Sequence, residues 1–161
     1  MDITPSQQQE ISRRQESNNA AYSAIAQARA QISALEEQLA RLQRELAELE
    51  DFRIQTRNDF ARLREQANER KTALSALDAI PNVDLFRRLA SAMGDTIDRR
   101  TKAAIENASS DVGMQINRAA GDIQSEIDSL KTQIASLGRT IADNQALISR
   151  NNASIAAIQA G

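Results

Sequence analysis

Cysteine, histidine and tryptophan are absent from this chain of 161 residues, which has one tyrosine and three phenylalanines. The lack of cysteine excludes disulfides, thiolate catalysis and zinc–thiolate sites. The lack of histidine removes the commonest general base and the commonest metal ligand. Neither a glycine-rich phosphate loop nor a nucleophile motif such as GxSxG is present. The sequence therefore predicts a protein that is not an enzyme and holds no metal and no cofactor.

An excess of charge of one sign and long apolar runs are also lacking. Twenty lysines and arginines oppose 22 aspartates and glutamates, a net charge of −2, so the chain has no electrostatic footprint for nucleic acid. No run of about 18 apolar residues occurs, so we expect no stable membrane insertion. The first residues lack the basic and apolar regions of a secretory signal peptide. We expect a cytoplasmic protein, or one exported without a cleaved signal.

Glycine and proline are scarce, and alanine is abundant. The sequence has five glycines, two prolines and 28 alanines, a composition that favours helix. Leucine, isoleucine, valine and phenylalanine together make up 34 residues. That share is close to the level at which chains remain disordered, but the net charge is too small to keep this chain unfolded. Thr4, Pro5 and Gln7 are spaced as in a capping box, which predicts that a helix begins there.

Apolar residues follow the 3,4 spacing of a coiled-coil seam in the first half of the chain. One row contains Ile25, Ile32, Leu39, Leu46, Arg53, Phe60, Ala67 and Leu74, and the other contains Ala21, Ala28, Leu35, Leu42, Leu49, Thr56, Leu63, Arg70 and Leu77. Three of these positions are polar: Arg53, Thr56 and Arg70. The rows predict a long helix with one apolar stripe.

The second half carries a second seam. Isoleucines recur every seven residues at 127, 134, 141, 148 and 155, and their partner row contains Leu130, Leu137, Asn144, Asn151 and Ile158. Upstream, Ile105, Ile116 and Ile127 are spaced by eleven residues, which keeps a helix nearly straight. We expect the isoleucine row to be buried.

One break separates the two halves, at Pro81 within residues 79–84, because proline disfavours a helical residue before it and lacks an amide donor. The chain is therefore predicted to be all-α, a long antiparallel helical hairpin, or coiled coil, forming a single domain over residues 1–161. Its arms are residues 5–78 and 85–160. An amphipathic stretch after the turn, residues 85–93, allows a short helix there. The pattern leaves open whether arm two is one helix or bends at Gly94 or Gly113.

A turn centred on Pro81 and Asn82 sets the expected register. Facing residue numbers would then sum to about 162–164, which places Asn144 beside Asn18 and Arg53 near Ser109. Two weakly apolar stretches, 53–56 and 106–113, would meet at the same height. They form either a waist with thin packing or two unrelated interruptions.

The end of arm two supplies the candidate interface. Between Thr140 and Gly161 the only charged residues are Asp143 and Arg150, and small side chains there allow another helix to approach closely. Two helices alone would leave part of this apolar surface in water, which favours a further helix pair from a partner or a second copy. The alternative is a broad seam that arm one covers by itself. The candidate interface residues are Ala146, Leu147, Ala153, Ala156 and Ala157, with Asn144 and Asn151 setting register.

Two further features lie near the turn. Phe86 is either an exposed anchor at the hairpin tip or a cap on the end of the coil. The basic residues of 87–88 and 99–102 form a small positive zone diluted by aspartates. That zone would contact phosphate or an acidic partner, or else it is a solvated helix face.

The chain from Ala20 to Ile158 resembles the LXG-associated α-helical proteins, relatives of the WXG-motif hairpins. The resemblance is carried by the leucine-rich stretch Ile32–Leu39, the region around Phe60, the short turn and the closing stretch Ile127–Ile134. It implies a small helical partner of a bacterial type VII secretion effector, pairing with the helical N-terminal domain of an LXG toxin. The sequence departs from the pattern in lacking tryptophan, hence a WxG turn, and in lacking a YxxxD/E export signal.

Three functional interpretations follow from the sequence. The first is a binding module that completes a helical bundle with a partner, such as an LXG-type effector. The second is a structural coiled coil that self-assembles into a four-helix bundle. The third is a membrane-active helical toxin, which the sequence disfavours because no segment combines a strong apolar moment with a lysine-rich face.

Overall fold

A computed structural model describes residues 4–77 and 84–160, apart from the side chains of Leu77 and Phe86. The chain is all-α: helix α1 spans Pro5–Leu77, α2 spans Asp84–Thr96, a π-helical segment spans Ile97–Thr101, and α3 spans Lys102–Ala160. No strand occurs in these two ranges. A long first helix packs against a second long helical run, so the predicted all-α helical hairpin is confirmed. Of the predicted turn, only Asp84 belongs to the described residues.

Helix α1 begins with the predicted capping box. The Thr4 amide donates to the Gln7 side-chain oxygen at 2.8 Å, and the Gln7 amide donates to the Thr4 hydroxyl at 3.3 Å. These two bonds satisfy amides that have no partner within a helix, and Pro5 follows the cap where its missing donor costs nothing. The start of α1 is thus fixed by local sequence.

Arm two is helical throughout residues 84–160, but it is not one regular α-helix. The short helix expected after the turn is present as α2, and its first turn contains an ion pair between Asp84 and Arg87. Neither Gly94 nor Gly113 ends a helix; the irregularity is the π-helical segment, which begins three residues after Gly94. A π-helix is rare and locally widens the turn, often at functional sites.

Residue contacts divide the chain into two compact units. Unit one combines Met1–Gln43 with Ser125–Gly161, and unit two is Arg44–Gln124. In unit one, Ala21, Ile25 and Ile148 form a buried cluster. The other buried residues of unit one that the structure describes are Ile11, Asn18, Ala28, Ile127, Leu130 and Asn151. Unit two has fewer: Ala67, Ala90 and Ile116.

The isoleucine row, which the sequence predicts to be buried, lies at the seam but is buried only in part. Ile127 and Ile148 are buried, and Ile134, Ile141 and Ile155 are half-buried. Ile141 packs against the buried cluster that contains Ile25 of α1. Alternation of alanine in α1 with isoleucine in α3 lets the two helices approach while filling the space between them.

The predicted register was wrong by about one heptad. Asn18 bonds to Asn151 and Asn152, not to Asn144, so the facing pair Asn18–Asn151 sums to 169. In unit two the ion pair Lys71–Asp98 also sums to 169. A shift of seven residues returns the same rows to the seam, so the apolar pattern hardly distinguishes the two registers. The polar seam residues distinguish the two registers.

The predicted waist corresponds to a depression in unit two. It has a volume of about 310 Å³ and is lined by residues of both weakly apolar stretches, among them Arg53, Thr56, Ser109 and Gly113. The Arg53 guanidinium forms an ion pair with the Glu50 carboxylate of its own helix at 3.4 Å. Packing is therefore thin at this height because small and polar side chains face one another.

Candidate interaction surfaces

The predicted register residue Asn151 lies inside unit one, where it joins α1 to α3. It is 6% exposed, and its amide nitrogen donates to the Asn18 side-chain oxygen at 2.9 Å and to the Ser17 hydroxyl at 3.2 Å. Asn18 in turn donates to the side-chain oxygen of Asn152 at 2.8 Å. Arg14 reaches the Asn151 oxygen at 3.5 Å. The amide of Asn151 is thus used within the hairpin.

The other candidate residues of α3 divide between the seam and the outside. Leu147 is half-buried and packs against the cluster of Ala21, Ile25 and Ile148, so it lies nearer the seam than its pattern indicated. Asn144 is half-buried and donates to the Thr140 carbonyl of its own helix at 2.8 Å. The exposed members of the set are Ala146, Ala153, Ala156 and Ala157.

These four exposed alanines define the outer alanine face of α3. Successive residues of an α-helix are 100° apart, so Ala146, Ala153 and Ala157 lie within a narrow arc on the side of α3 opposite Ile148. Ala156 lies about 60° outside this arc. The face therefore points away from α1. It also carries the exposed Arg150, which is four residues after Ala146 and three before Ala153, so a helix placed against it would meet small side chains and this one cation. The candidate Phe86 lies in α2, but its side chain is outside the described residues.

Sequence reasoning missed a second surface, an apolar groove in unit two. The groove has a volume of about 540 Å³. From α1 it is lined by Leu63, Gln66, Ala67, Arg70, Ala73 and Leu74, and from arm two by Met93, Ile97, Thr101 and Ile105. Leu63 and Met93 remain about half exposed, at 45% and 47%. The sequence feature that could have indicated this groove is Arg70, a charged residue in an otherwise apolar row.

Next to the groove, Asp98 of the π-helical segment joins α1 to α3. It accepts from Lys71 of α1 and, at 2.8 Å, from Lys102 of α3. The hydrogen bond from Lys102 and then that from Lys71 lower the pKa of Asp98 below its ordinary value. The three side chains fix the height of the π-helical segment on α1, which places Ile97 and Thr101 in the groove.

Two exposed surfaces stand out among the described residues. Among residues 4–77 and 84–160, no group of three histidine, cysteine or carboxylate side chains is placed to hold a metal ion. Within the same ranges, no helix combines the length and apolar content needed to cross a bilayer. What the geometry presents is the outer alanine face of unit one and the apolar groove of unit two.

Comparisons with known protein families, with curated proteins and with solved structures found no match to this chain.

Proposed function

We propose that this chain is a non-catalytic interaction protein that completes a helical bundle with another helical protein. The observation that carries the proposal is the outer alanine face of α3, an exposed surface of small side chains around a single cation, Arg150. Apolar surface of this kind on a folded chain is typical of an interface, and alanine lets two helix backbones approach closely.

The residues around the face strengthen this proposal. Between positions 140 and 160 only Asp143 and Arg150 are charged. Arg150 lies on the face and Asp143 beside it, so a docking helix would have to accommodate this pair of opposite charges and no others. The inner side of α3 is already occupied by α1 through Ile148 and Asn151. A helix that docks on the outer alanine face would therefore add a layer to unit one without displacing α1.

The resemblance to LXG-associated proteins supplies the candidate partner, the helical N-terminal domain of an LXG-type type VII secretion effector. Side-by-side pairing with such a domain would require one continuous helix surface, which residues 146–157 provide. An LXG toxin gene beside the gene for this chain would support that assignment. A partner of another family would leave the binding role intact and remove the secretion role.

The test uses the full chain and a purified LXG N-terminal domain. The double variant Ala153→Glu with Ala157→Glu puts two carboxylates on the outer alanine face, four residues apart. Its matched control is Ala26→Glu with Ala30→Glu, two exposed alanines of α1 with the same spacing in the same unit. We expect binding, measured by calorimetry, to be lost in the first double variant and kept in the second.

Solution mass of the chain alone separates binding from self-assembly. A monomer that binds the LXG domain supports the proposal. A stable dimer that the α3 double variant converts to a monomer would mean that the face is covered by a second copy, as in the structural four-helix bundle. Equal behaviour of both double variants would show that the outer alanine face is not an interface.

A further inference from the structure

We propose that the apolar groove of unit two binds an amphipathic helix of a partner protein that carries a carboxylate among its apolar residues. This site is separate from the outer alanine face: its lining comes from residues 63–74 and 93–105, all within Arg44–Gln124. It therefore does not depend on the function proposed above.

The dimensions of the groove suit a helix. Its α1 wall, from Leu63 to Leu74, covers about three helical turns. Its other wall presents Met93, Ile97, Thr101 and Ile105, which recur every four residues. Peptide helices dock in such grooves through apolar side chains at i, i+3 or i+4, and i+7, and three turns accommodate one such set.

The positive charge of Arg70, in the lining of the groove, indicates which kind of helix would bind there. Arg70 occupies a seam position, between the apolar residues Ala67 and Leu74 of the same wall. Within residues 4–77 and 84–160, no carboxylate forms an ion pair with Arg70. Arg70 is exposed, so its guanidinium is accessible and can form a bidentate pair with an incoming carboxylate.

The charged residues around the groove also favour an acidic helix. Residues 62–102 contain nine lysines and arginines and six aspartates and glutamates, although the whole chain has a net charge of −2. The carboxylate of Asp98 is already engaged by Lys71 and Lys102. Arg100, which precedes the groove residue Thr101, is exposed. An acidic helix is attracted to this environment, whereas a basic helix is repelled.

The π-helical segment explains why the groove stays open. Its wider turn shifts Thr101 and Ile105 relative to the positions that an unbroken α-helix would give them. The pairing of Asp98 with Lys71 then holds this segment against α1 at its charged side. The apolar side, with Met93 and Ile97, is left as the wall of the groove.

Two synthetic peptides test the proposal against the full chain. Each has about 18 residues, long enough to hold helical structure, with leucines on one face; one carries glutamates beside the leucines and the other lysines at the same positions. Fluorescence anisotropy should show that the glutamate peptide binds and the lysine peptide does not. In the variant Arg70→Glu, the glutamate peptide should bind about tenfold more weakly, and the lysine peptide should gain affinity.

Matched variants locate the site. Arg118→Glu makes the same charge change on an exposed position of unit two outside the groove, and it should leave both affinities within about twofold. Leu63→Ala should weaken binding of the glutamate peptide. Met114 is another exposed apolar residue of unit two, and Met114→Ala should leave that binding unchanged. Circular dichroism of each variant confirms that the helices persist.

Four results would overturn the proposal. Equal binding of the two peptides would show an apolar groove without charge selection. Equal effects of Arg70→Glu and Arg118→Glu on peptide affinity would show that the groove does not bind an acidic helix. Failure of the glutamate peptide to bind the native chain would show the same. A dimer of the chain that Leu63→Lys converts to a monomer would mean that a second copy fills the groove. None of these results depends on Ala153 or Ala157, so the outer alanine face is tested separately.

Discussion

The two compact units bury and expose very different residues. Of the twelve buried residues that the structure describes, nine lie in unit one. Of the eight large apolar residues that are exposed among the described side chains, seven lie in unit two: Phe52, Ile54, Leu63, Leu85, Leu89, Met93 and Met114. Both units are built from a segment of α1 packed on later helix. Helical hairpin packing thus produces a closed seam with buried apolar side chains in unit one and an open seam with exposed apolar side chains in unit two.

Side-chain size and polarity explain the difference. In unit one, Ala21 and Ala28 alternate with Ile25, and isoleucines of α3 fill the space that the alanines leave. In unit two, Arg53 and Arg70 occupy seam positions, and a long charged side chain cannot be buried there without a partner. The seam of unit two therefore opens into a depression and a groove, and its apolar residues stay accessible for binding.

The largest predicted effect contrasts a buried with an exposed apolar residue. Ile127, which is 2% exposed, lies in unit one, and Leu85, which is 75% exposed, lies in unit two. Ile127→Asp buries an unpaired charge and should cost about 3–5 kcal/mol of unfolding free energy. Leu85→Asp should change it by no more than about 0.5 kcal/mol. Urea unfolding measures both; similar losses would contradict the difference between the units.

The amide cluster should give the next largest effect. Asn151→Ala removes the donor to the Asn18 oxygen and leaves that oxygen buried, which should cost about 1–3 kcal/mol. Asn144→Ala is the control, since Asn144 bonds only within its own helix, and it should cost less. Thermal unfolding of the two variants checks this order. A larger loss for Asn144→Ala would favour the register that the sequence predicts, in which Asn144 lies beside Asn18.

Glycine replacement should stabilise both units by a similar, smaller amount. A Cβ added at Gly113 in unit two or at Gly138 in unit one would have no atom within 4 Å outside its own helix turn. Each change to alanine should therefore add about 0.5–1 kcal/mol, because alanine loses less backbone entropy in a helix. A loss of stability at either position, seen by urea unfolding, would show closer packing there than the structure has.

The smallest effect concerns Asp98, whose pairs with Lys71 and Lys102 lie at the surface. These pairs lower the pKa of Asp98, so their contribution is complete above the ordinary carboxyl pKa of about 3.9 and is lost as the pH falls toward the folded-state value. Asp98→Asn should lower Tm slightly at pH 7, and the difference should disappear in acid.

The control for this pH dependence is Asp95→Asn, an exposed carboxylate without an ion pair among the described residues. Its Tm difference from the native chain should be smaller at pH 7 than that of Asp98→Asn. A Tm difference for Asp98→Asn that grows in acid would contradict the assigned ion pairs.

Features determined by local chemistry could be predicted from the sequence. The capping box at Thr4 and Gln7 and the rows of isoleucine and alanine depend on neighbours within one or two turns, and the structure contains them. Register could not be predicted, because a shift of seven residues keeps the same apolar rows at the seam, and polar pairs such as Asn18–Asn151 and Lys71–Asp98 distinguish the alternatives. The π-helical segment has no sequence signature of its own.

The candidate surface was predicted only in part. The sequence singled out Ala146, Ala153, Ala156 and Ala157, and the structure exposes them all. Leu147 was expected on the same edge, but in the observed register it packs on the buried cluster of unit one. The groove was missed because Leu63 and Leu74 followed a regular seam, and periodicity alone does not reveal where the facing helix leaves a seam open.

Hydrogen exchange of the full chain tests the contrast between the two units most directly. Opening a helix is harder where more side chains are buried across the seam, so amides there should exchange more slowly. We expect the slowest exchange in residues 11–28 and 127–151 and faster exchange in residues 84–105. Equal protection in both units, or slower exchange in unit two, would contradict the account of a closed seam in one unit and an open one in the other.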